Sequence, residues 1–209
     1  MKNKLKVYVA DDHNVVRKGM TTLLSTFPRV CEVQEAENGK KLIELVNDGT
    51  PDAVVLDVEM PGLGGIETAA YLIKHFPSIK ILILTMHTED GFVRKLMDMG
   101  VHGFLSKSSQ PNELERALYS IIDNDFYRNE LVVNAIQHFK KISLPTLERL
   151  SNREVEILNL ICQELSPSEI SDRLNISPKT FFNHRSNIIN KTGSKNNIGL
   201  YKYAVQHGY

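Results

Sequence analysis

The chain has no tryptophan and only two cysteines, Cys31 and Cys162. So few thiols cannot build a disulfide scaffold, and neither sits in a CxxC or His/Cys pattern with zinc-ligand spacing. No apolar run approaches the roughly 18 residues that a membrane span requires. The basic start, Met1–Lys6, runs into a short apolar stretch broken by Asp11 and Asp12, unlike a secretory leader. Net charge is also missing: 25 Lys and Arg balance 25 Asp and Glu, so bulk electrostatics supplies no attraction to a polyanion and any such partner must be recognised locally. No internal repeat or low-complexity tract is present. These absences predict a cytoplasmic protein with no membrane partner. What remains is ordinary globular composition, and 209 residues suit two small domains or one large one.

Residues 1–124 alternate short apolar runs with amphipathic stretches. Strands are predicted at Val7–Ala10, Val30–Ala36, Ala53–Leu56, Ile79–Leu84 and Gly103–Leu105. Helices are predicted at Val15–Leu24, Lys40–Val46, Gly65–Phe76, Glu89–Met99 and Asn112–Asp123. Continuously apolar strands indicate burial on both faces, and strict alternation with helices indicates a doubly wound α/β domain around a five-stranded parallel sheet. Ligands of such sheets sit beyond the carboxyl ends of the strands. Asp11 and Asp12 end the first predicted strand, Asp57 the third, Thr85 the fourth, and Lys107 follows the fifth.

Taken singly, Asp11 or Asp12 is as well explained as a helix cap and Asp57 as a strand end. Together they place three carboxylates at one sheet edge, where mutual repulsion calls for a cation. Oxygen-only donors favour a hard ion, and Mg2+ is the one that pairs with phosphate. Asp57 has the chemistry of a nucleophile that forms an aspartyl-phosphate, with Lys107 and the metal neutralising the transferring group and Thr85 donating to a phosphate oxygen. An aspartate-nucleophile phosphatase also wants a carboxylate two residues after the nucleophile. Glu59 has that spacing, but the rest of that signature is missing.

Residues 125–146 read as a linker. Asn124–Asp125 and Arg128–Asn129 are turn-like, Leu131–Lys141 has helical character, and Pro145 interrupts. Residues 147–209 hold no strand-like run and form a small all-α unit with helices expected at about 151–164, 167–174, 178–191 and 197–207. Ser151-Asn-Arg-Glu154 and Ser166-Pro-Ser-Glu169 are capping boxes, and Pro167 and Pro178 stand at first helical positions. This segment carries eight Lys and Arg against six Asp and Glu, an excess of two positive charges. Nonspecific affinity for any polyanion is therefore expected to be weak and salt-sensitive.

Val9-Ala-Asp-Asp-His13, Val55-Leu-Asp57-Val-Glu-Met-Pro-Gly62, Leu84-Thr85 and Phe104-Leu-Ser-Lys107 resemble the motifs of two-component receiver domains, which are flavodoxin-like, over residues 4–124. That resemblance implies Mg2+ held by Asp11, Asp12, Asp57 and the Glu59 carbonyl, and phosphorylation on Asp57. It assigns Thr85 and Lys107 to the phosphoryl group and makes Phe104 the aromatic that turns inward as Thr85 moves. A histidine kinase is the implied donor. Two features depart from the pattern. Ser108 replaces the proline that many members carry after the lysine across a cis peptide, and cis without proline costs about 3 kcal/mol. Glu59 and His87 occupy positions that tune phosphate lifetime in the family.

Leu150-Ser-Asn-Arg-Glu154, Glu169-Ile170, Leu174, Ser177-Pro-Lys-Thr180, His184 and Lys191 to Gly193 resemble the LuxR-type helix-turn-helix. With the receiver, the whole chain is similar to the NarL/FixJ group of response regulators. The resemblance implies double-stranded DNA as a partner, with the helix from Pro178 in the major groove. Lys179 and Thr180 sit at its N-terminus. Asn183 suits adenine and Arg185 guanine, while Lys191 and Lys195 suit phosphates. Phe182 stands where relatives often carry a basic or polar residue, and contact with a thymine methyl, packing on the linker or a place at a crowded edge all fit it. Two half-sites imply a homodimer, through Leu200–Val205. Glu164 occupies a helix end where the family favours glycine, a position that costs about 1 kcal/mol if its backbone is left-handed.

Overall fold

The structure is a computed structural model, and it describes residues 4–86, 89–137 and 150–209. His87, Pro145 and the last part of the predicted Leu131–Lys141 helix lie outside the described residues.

Strand β1 (Leu5–Ala10) leads into helix α1 (Asn14–Ser25), and β2 (Val30–Ala36) into α2 (Gly39–Asp48). Next come β3 (Ala53–Asp57), α3 (Gly65–His75), β4 (Lys80–Thr85), α4 (Asp90–Met99), β5 (Gly103–Ser106) and α5 (Pro111–Asn124). All neighbouring strands pair in parallel, in the order β2-β1-β3-β4-β5. Order reverses at β1, so the crevice between the carboxyl ends of β1 and β3 is the ligand position that the topology provides. Those ends carry Asp11, Asp12 and Asp57.

Side-chain alternation sorts the strands onto two faces. Leu5, Val7, Val9, Val55, Leu84 and Leu105 pack with Leu24 of α1 and with Leu114, Leu118 and Ile121 of α5. Tyr8, Val54, Leu56, Ile81, Ile83 and Phe104 face the other way, against Leu42 of α2, Leu72 of α3 and Val93 of α4. Burial on both faces is why these strands read as unbroken apolar runs rather than alternating ones.

Among the described residues, helices α6 (Glu130–Gln137), α7 (Asn152–Cys162), α8 (Pro167–Leu174), α9 (Pro178–Thr192) and α10 (Asn197–His207) follow. Both expected capping boxes are formed, at Ser151/Glu154 and Ser166/Glu169. Ser177 caps α9 through the Thr180 amide, and Asn196 caps α10 through the Gly199 amide. These side chains satisfy N–H groups that the first helical turn leaves unpaired.

The second apolar layer does not stop at the α/β unit. It continues through Val132, Ala135 and Ile136 of α6 into Ile157, Ile161, Ile188 and Leu200 of the C-terminal helices. Helix α6 packs against α4, and α10 packs against α7, α6 and α4. Residues expected to be linker are thus docked: Phe126 and Tyr127 are buried, and the Tyr127 amide donates to the His102 carbonyl beside β5 at 2.9 Å.

Candidate functional site

Helix α1 begins only after the Asp11-Asp12-His13 turn, where Asp11 Oδ1 accepts from the His13 amide at 2.8 Å. That turn holds Asp11 over the end of β1. Asp57 is the last residue of β3 and accepts from the Glu59 amide at 3.3 Å. Lys107 follows β5. Its ammonium lies 2.9 Å from Asp11 and 2.7 Å from Asp57, bridging two carboxylates that are almost fully buried. Burial is the largest influence on Asp57 and pushes its carboxyl above the ordinary range, although Lys107 opposes this. For Lys107, burial is again the largest single influence and lowers the pKa. The hydrogen bonds and charges of Asp11 and Asp57 together outweigh it, and the net displacement is upward. The pair is therefore an ammonium and a carboxylate in direct contact.

Ligand atoms of Asp11, Asp12, His13 and Asp57 lie within 4.8 Å of one another. A single Lys107 charge does not balance three carboxylates. A predominantly oxygen donor set with surplus negative charge fits a hard divalent cation such as Mg2+. His13 is the member of this group to which the sequence motifs assigned no metal role. Its Nδ1 lies 2.8 Å from Asp12 Oδ1, and its position directly after the acidic pair was the available signal.

Thr85 ends β4 and is buried, and its carbonyl accepts from the Lys107 amide at 3.0 Å. The two residues expected to meet a phosphoryl group are thereby tied by their backbones. Glu59 projects its side chain outward, while its amide touches Asp57. Phe104 is fully buried in the layer shared with α4. Among the described residues no peptide bond is cis, the Lys107–Ser108 bond included.

Gly65 closes this loop from behind. A Cβ there would stand 2.0 Å from the Asp57 carbonyl oxygen and 2.7 Å from Val58 Cα, both backbone atoms. Gly65→Ala is therefore expected to cost about 2 kcal/mol, in the range of other overpacked sites. Chemical denaturation checks this, and an unchanged midpoint would show that the loop yields freely.

The second set of residues lies on α9 and α10. Lys179, Asn183 and Phe182 are exposed, with half of Phe182 accessible, and Thr180 is partly covered. Phe182 packs edge-on against buried Phe181 and lines a crevice with Ile122 and Pro167. Arg185, expected to face a base, is paired within the molecule: its guanidinium meets the Asp125 carboxylate, and its Nε donates to Asn197 Oδ1 at 2.9 Å. Lys191 donates to Glu154 at 2.8 Å, joining α9 to α7. Lys195 lies against the Met99 carbonyl at 3.4 Å. Leu200, Tyr203 and Ala204 of α10 are buried here, leaving Val205 as the exposed apolar residue of the predicted dimer segment.

Several residues at this junction carry no local sequence signal. Asp125 also pairs with Lys80, and His102 Nε2 stands 3.6 Å from it. Asn196 donates to the Gly100 and Val101 carbonyls at 2.8 and 2.9 Å, and Lys202 pairs with Asp98. Glu164 has a left-handed backbone, φ +63°, as its helix-end position suggested. Its carboxylate lies 3.1 Å from Arg128 Nε.

Residues 7–119 match the response regulator receiver domain family, and residues 148–204 match the luxR family of bacterial regulatory proteins. The chain belongs to the response regulators. It is similar to the response regulator GacA of Pseudomonas aeruginosa, 32% identical over 207 residues, covering 98% of this chain and 97% of GacA. UvrY of Escherichia coli K12 is 31% identical over 209 residues, covering 98% and 95%. A solved complex of the two-component response regulator RcsB with DNA superposes with a TM-score of 0.61 at 29% identity, covering 98% of this chain and 99% of that one. More narrowly, then, this is a NarL/FixJ-type DNA-binding response regulator of a two-component system, a transcription regulator rather than a classical enzyme. No helix among the described residues is long and apolar enough to cross a membrane.

Proposed function

We propose that residues 1–124 receive a phosphoryl group on Asp57 from a histidine kinase in the cytoplasm, and that residues 147–209 then bind promoter DNA as a homodimer, with 125–146 joining the two. One observation supports this above the others: the Lys107 ammonium bridges Asp11 and Asp57 at 2.9 and 2.7 Å. A cation is thereby already placed where an added dianion needs one.

Asp57, the buried carboxylate at the end of β3, is the nucleophile. One of its oxygens attacks the phosphorus of the donor's phosphohistidine. The P–N bond breaks and its electron pair returns to the donor ring, which leaves as neutral imidazole because its other nitrogen carries the proton; Lys107 gives up none, stays charged and pairs with the incoming oxygens. Asp11, Asp12 and the Glu59 carbonyl would hold Mg2+ beside Asp57. When bound, it supplies positive charge to the phosphoryl oxygens. Thr85 donates its hydroxyl to one of them, drawing the end of β4 inward beneath Phe104. Attack of water on the same phosphorus, with the Asp57 carboxylate leaving, would release inorganic phosphate. The receiver thus catalyses only its own modification.

On the output side, α9 would enter the major groove. Lys179 and Thr180 meet phosphate at its N-terminus, Asn183 and Arg185 face base edges, and Lys191 and Lys195 lie near the backbone. That the similar regulator RcsB has been solved in complex with DNA supports DNA as the partner. Arg185 reaches a base only after leaving Asp125.

DNA binding by wild type and Asp57→Ala, each with and without beryllofluoride, tests the scheme. Wild type is expected to gain at least tenfold in affinity with beryllofluoride, and the variant none. Equal gains in both would remove Asp57 from the switch.

A further inference from the structure

Asp125, Arg128 and Asn129 fall in a short strap between α5 and α6, and each reaches a different part of the molecule. Asn129 is attached to the switch end of the receiver: its Nδ2 donates to the Phe104 carbonyl at 2.9 Å. The other end of the same amide, Oδ1, accepts from the Val132 amide at 3.3 Å and so caps α6. Arg128, the preceding residue, is attached to the output helices. Its guanidinium donates to the Cys162 carbonyl at 3.0 Å, pairs with Glu164 at 3.1 Å and lies 5.3 Å from the centre of the Tyr201 ring. Adjacent Cα atoms are about 3.8 Å apart, so a shift of β5 reaches the output helices without passing through a flexible segment.

Two further features point the same way. Glu164 keeps a side chain at a left-handed position that glycine would occupy without strain, and that side chain is what Arg128 holds. A cleft of about 610 Å³ lies beside the strap, lined by Ser106, Glu113, Arg116, Arg128 and Glu164 among others. It gives Arg128 and Asn129 room to move where packed core would give none.

We infer that the Asn129–Arg128 pair is the coupling element of this regulator. Asn129 senses the position of the β5 backbone through the Phe104 carbonyl, and Arg128 converts that position into retention or release of the output helices at Glu164. The inference rests on the Asp57 switch proposed above. Asn129 and Arg128 are positioning residues: neither lies in the phosphoryl pocket nor on the DNA-facing side of α9.

The discriminating variant is Asn129→Asp. Aspartate still accepts from the Val132 amide and caps α6, but it cannot donate to Phe104. The probe is the duplex that wild-type full chain selects from random-sequence DNA in beryllofluoride, and beryllofluoride uptake is followed separately by fluorine NMR. Wild type is expected to take up beryllofluoride and gain at least tenfold in DNA affinity. Asn129→Asp is expected to take it up equally, melt within a few degrees of wild type and gain less than threefold. Glu164→Gly, which removes the charged one of the Arg128 anchors while relieving the backbone, is expected to raise DNA affinity without beryllofluoride at least threefold. If Asn129→Asp shows the full wild-type gain, or Glu164→Gly leaves basal affinity unchanged, the coupling role is wrong. Failure of wild type to take up beryllofluoride would instead overturn the phosphoryl switch, and the coupling with it. Uptake without any gain in DNA affinity would overturn the link to output.

Discussion

Lys107→Ala is expected to destabilise the protein by about 3 kcal/mol at neutral pH in the absence of divalent cations, the scale for removing one partner of a buried ion pair. The reason is local. Asp11 and Asp57 are both almost fully buried, and the Lys107 ammonium is the cation placed between them. Without it, two carboxylates face each other with Asp12 alongside. The deficit should depend on pH in a defined direction. Asp57 has its folded pKa raised, chiefly by burial, so its neutral form is the one the fold tolerates better. The penalty is therefore absent below the ordinary carboxylate pKa, grows as pH rises through the raised value, and is complete above it. Millimolar Mg2+ should restore most of the loss, because a divalent ion on Asp11, Asp12 and Asp57 replaces the missing charge. Urea denaturation of wild type and variant, with and without Mg2+, measures each part. A variant as stable as wild type in the presence of a chelator would mean that the three carboxylates are solvated well enough to need no counter-charge.

The second large effect comes from His102. Its Nδ1 accepts from the buried Ile81 amide at 3.1 Å, which assigns the neutral ring proton to Nε2, facing Asp125 at 3.6 Å. Burial is the main influence on this ring, and the charges of Lys80 and Arg185 push the same way. Asp125 opposes them, and the pKa comes to about 4 from an ordinary 6.5. Between those two values the unfolded chain takes up a proton that the folded one refuses. Stability contributed by neutral His102 is thus complete above about pH 6.5 and is lost as pH falls toward 4. At 1.36 kcal/mol per unit the full loss is about 3 kcal/mol, of which about 2 has gone by pH 5. His102→Asn keeps an acceptor for the Ile81 amide but does not titrate. Its stability should change between pH 7 and 5 by about 2 kcal/mol less than that of wild type. Parallel curves would place the acid sensitivity elsewhere.

The α/β half was legible because its signals are local and periodic. Strands buried on both faces cannot be disguised, and the parallel topology forces their polar ends to one edge, so Asp11, Asp57, Thr85 and Lys107 could be assembled from the order of elements alone. Capping at Ser151 and Ser166 was legible for the same reason, since both partners stand within four residues. Glu164 was readable from its place at a helix end. The junction was not. Asp125 and Arg128–Asn129 read as turn residues, because a partner 60 or 34 positions away leaves no trace in the neighbouring sequence. Arg185 suits guanine equally well whether or not a carboxylate holds it, and helix periodicity cannot tell an α10 face awaiting a second copy from one covered by α6 and α4.

The apolar layer that runs without a break from β4 through α6 into α10 has a thermodynamic consequence. Phe126 and Tyr201 stack across it at 6.2 Å, and parting the two halves would wet such surfaces at about 25 cal/mol for each Å² exposed. Were a second copy of the chain to cover the same rings, it would offset that loss, and its contribution would grow with the amount of protein present. The dose of signal needed to turn this regulator on would then fall as the cell makes more of it.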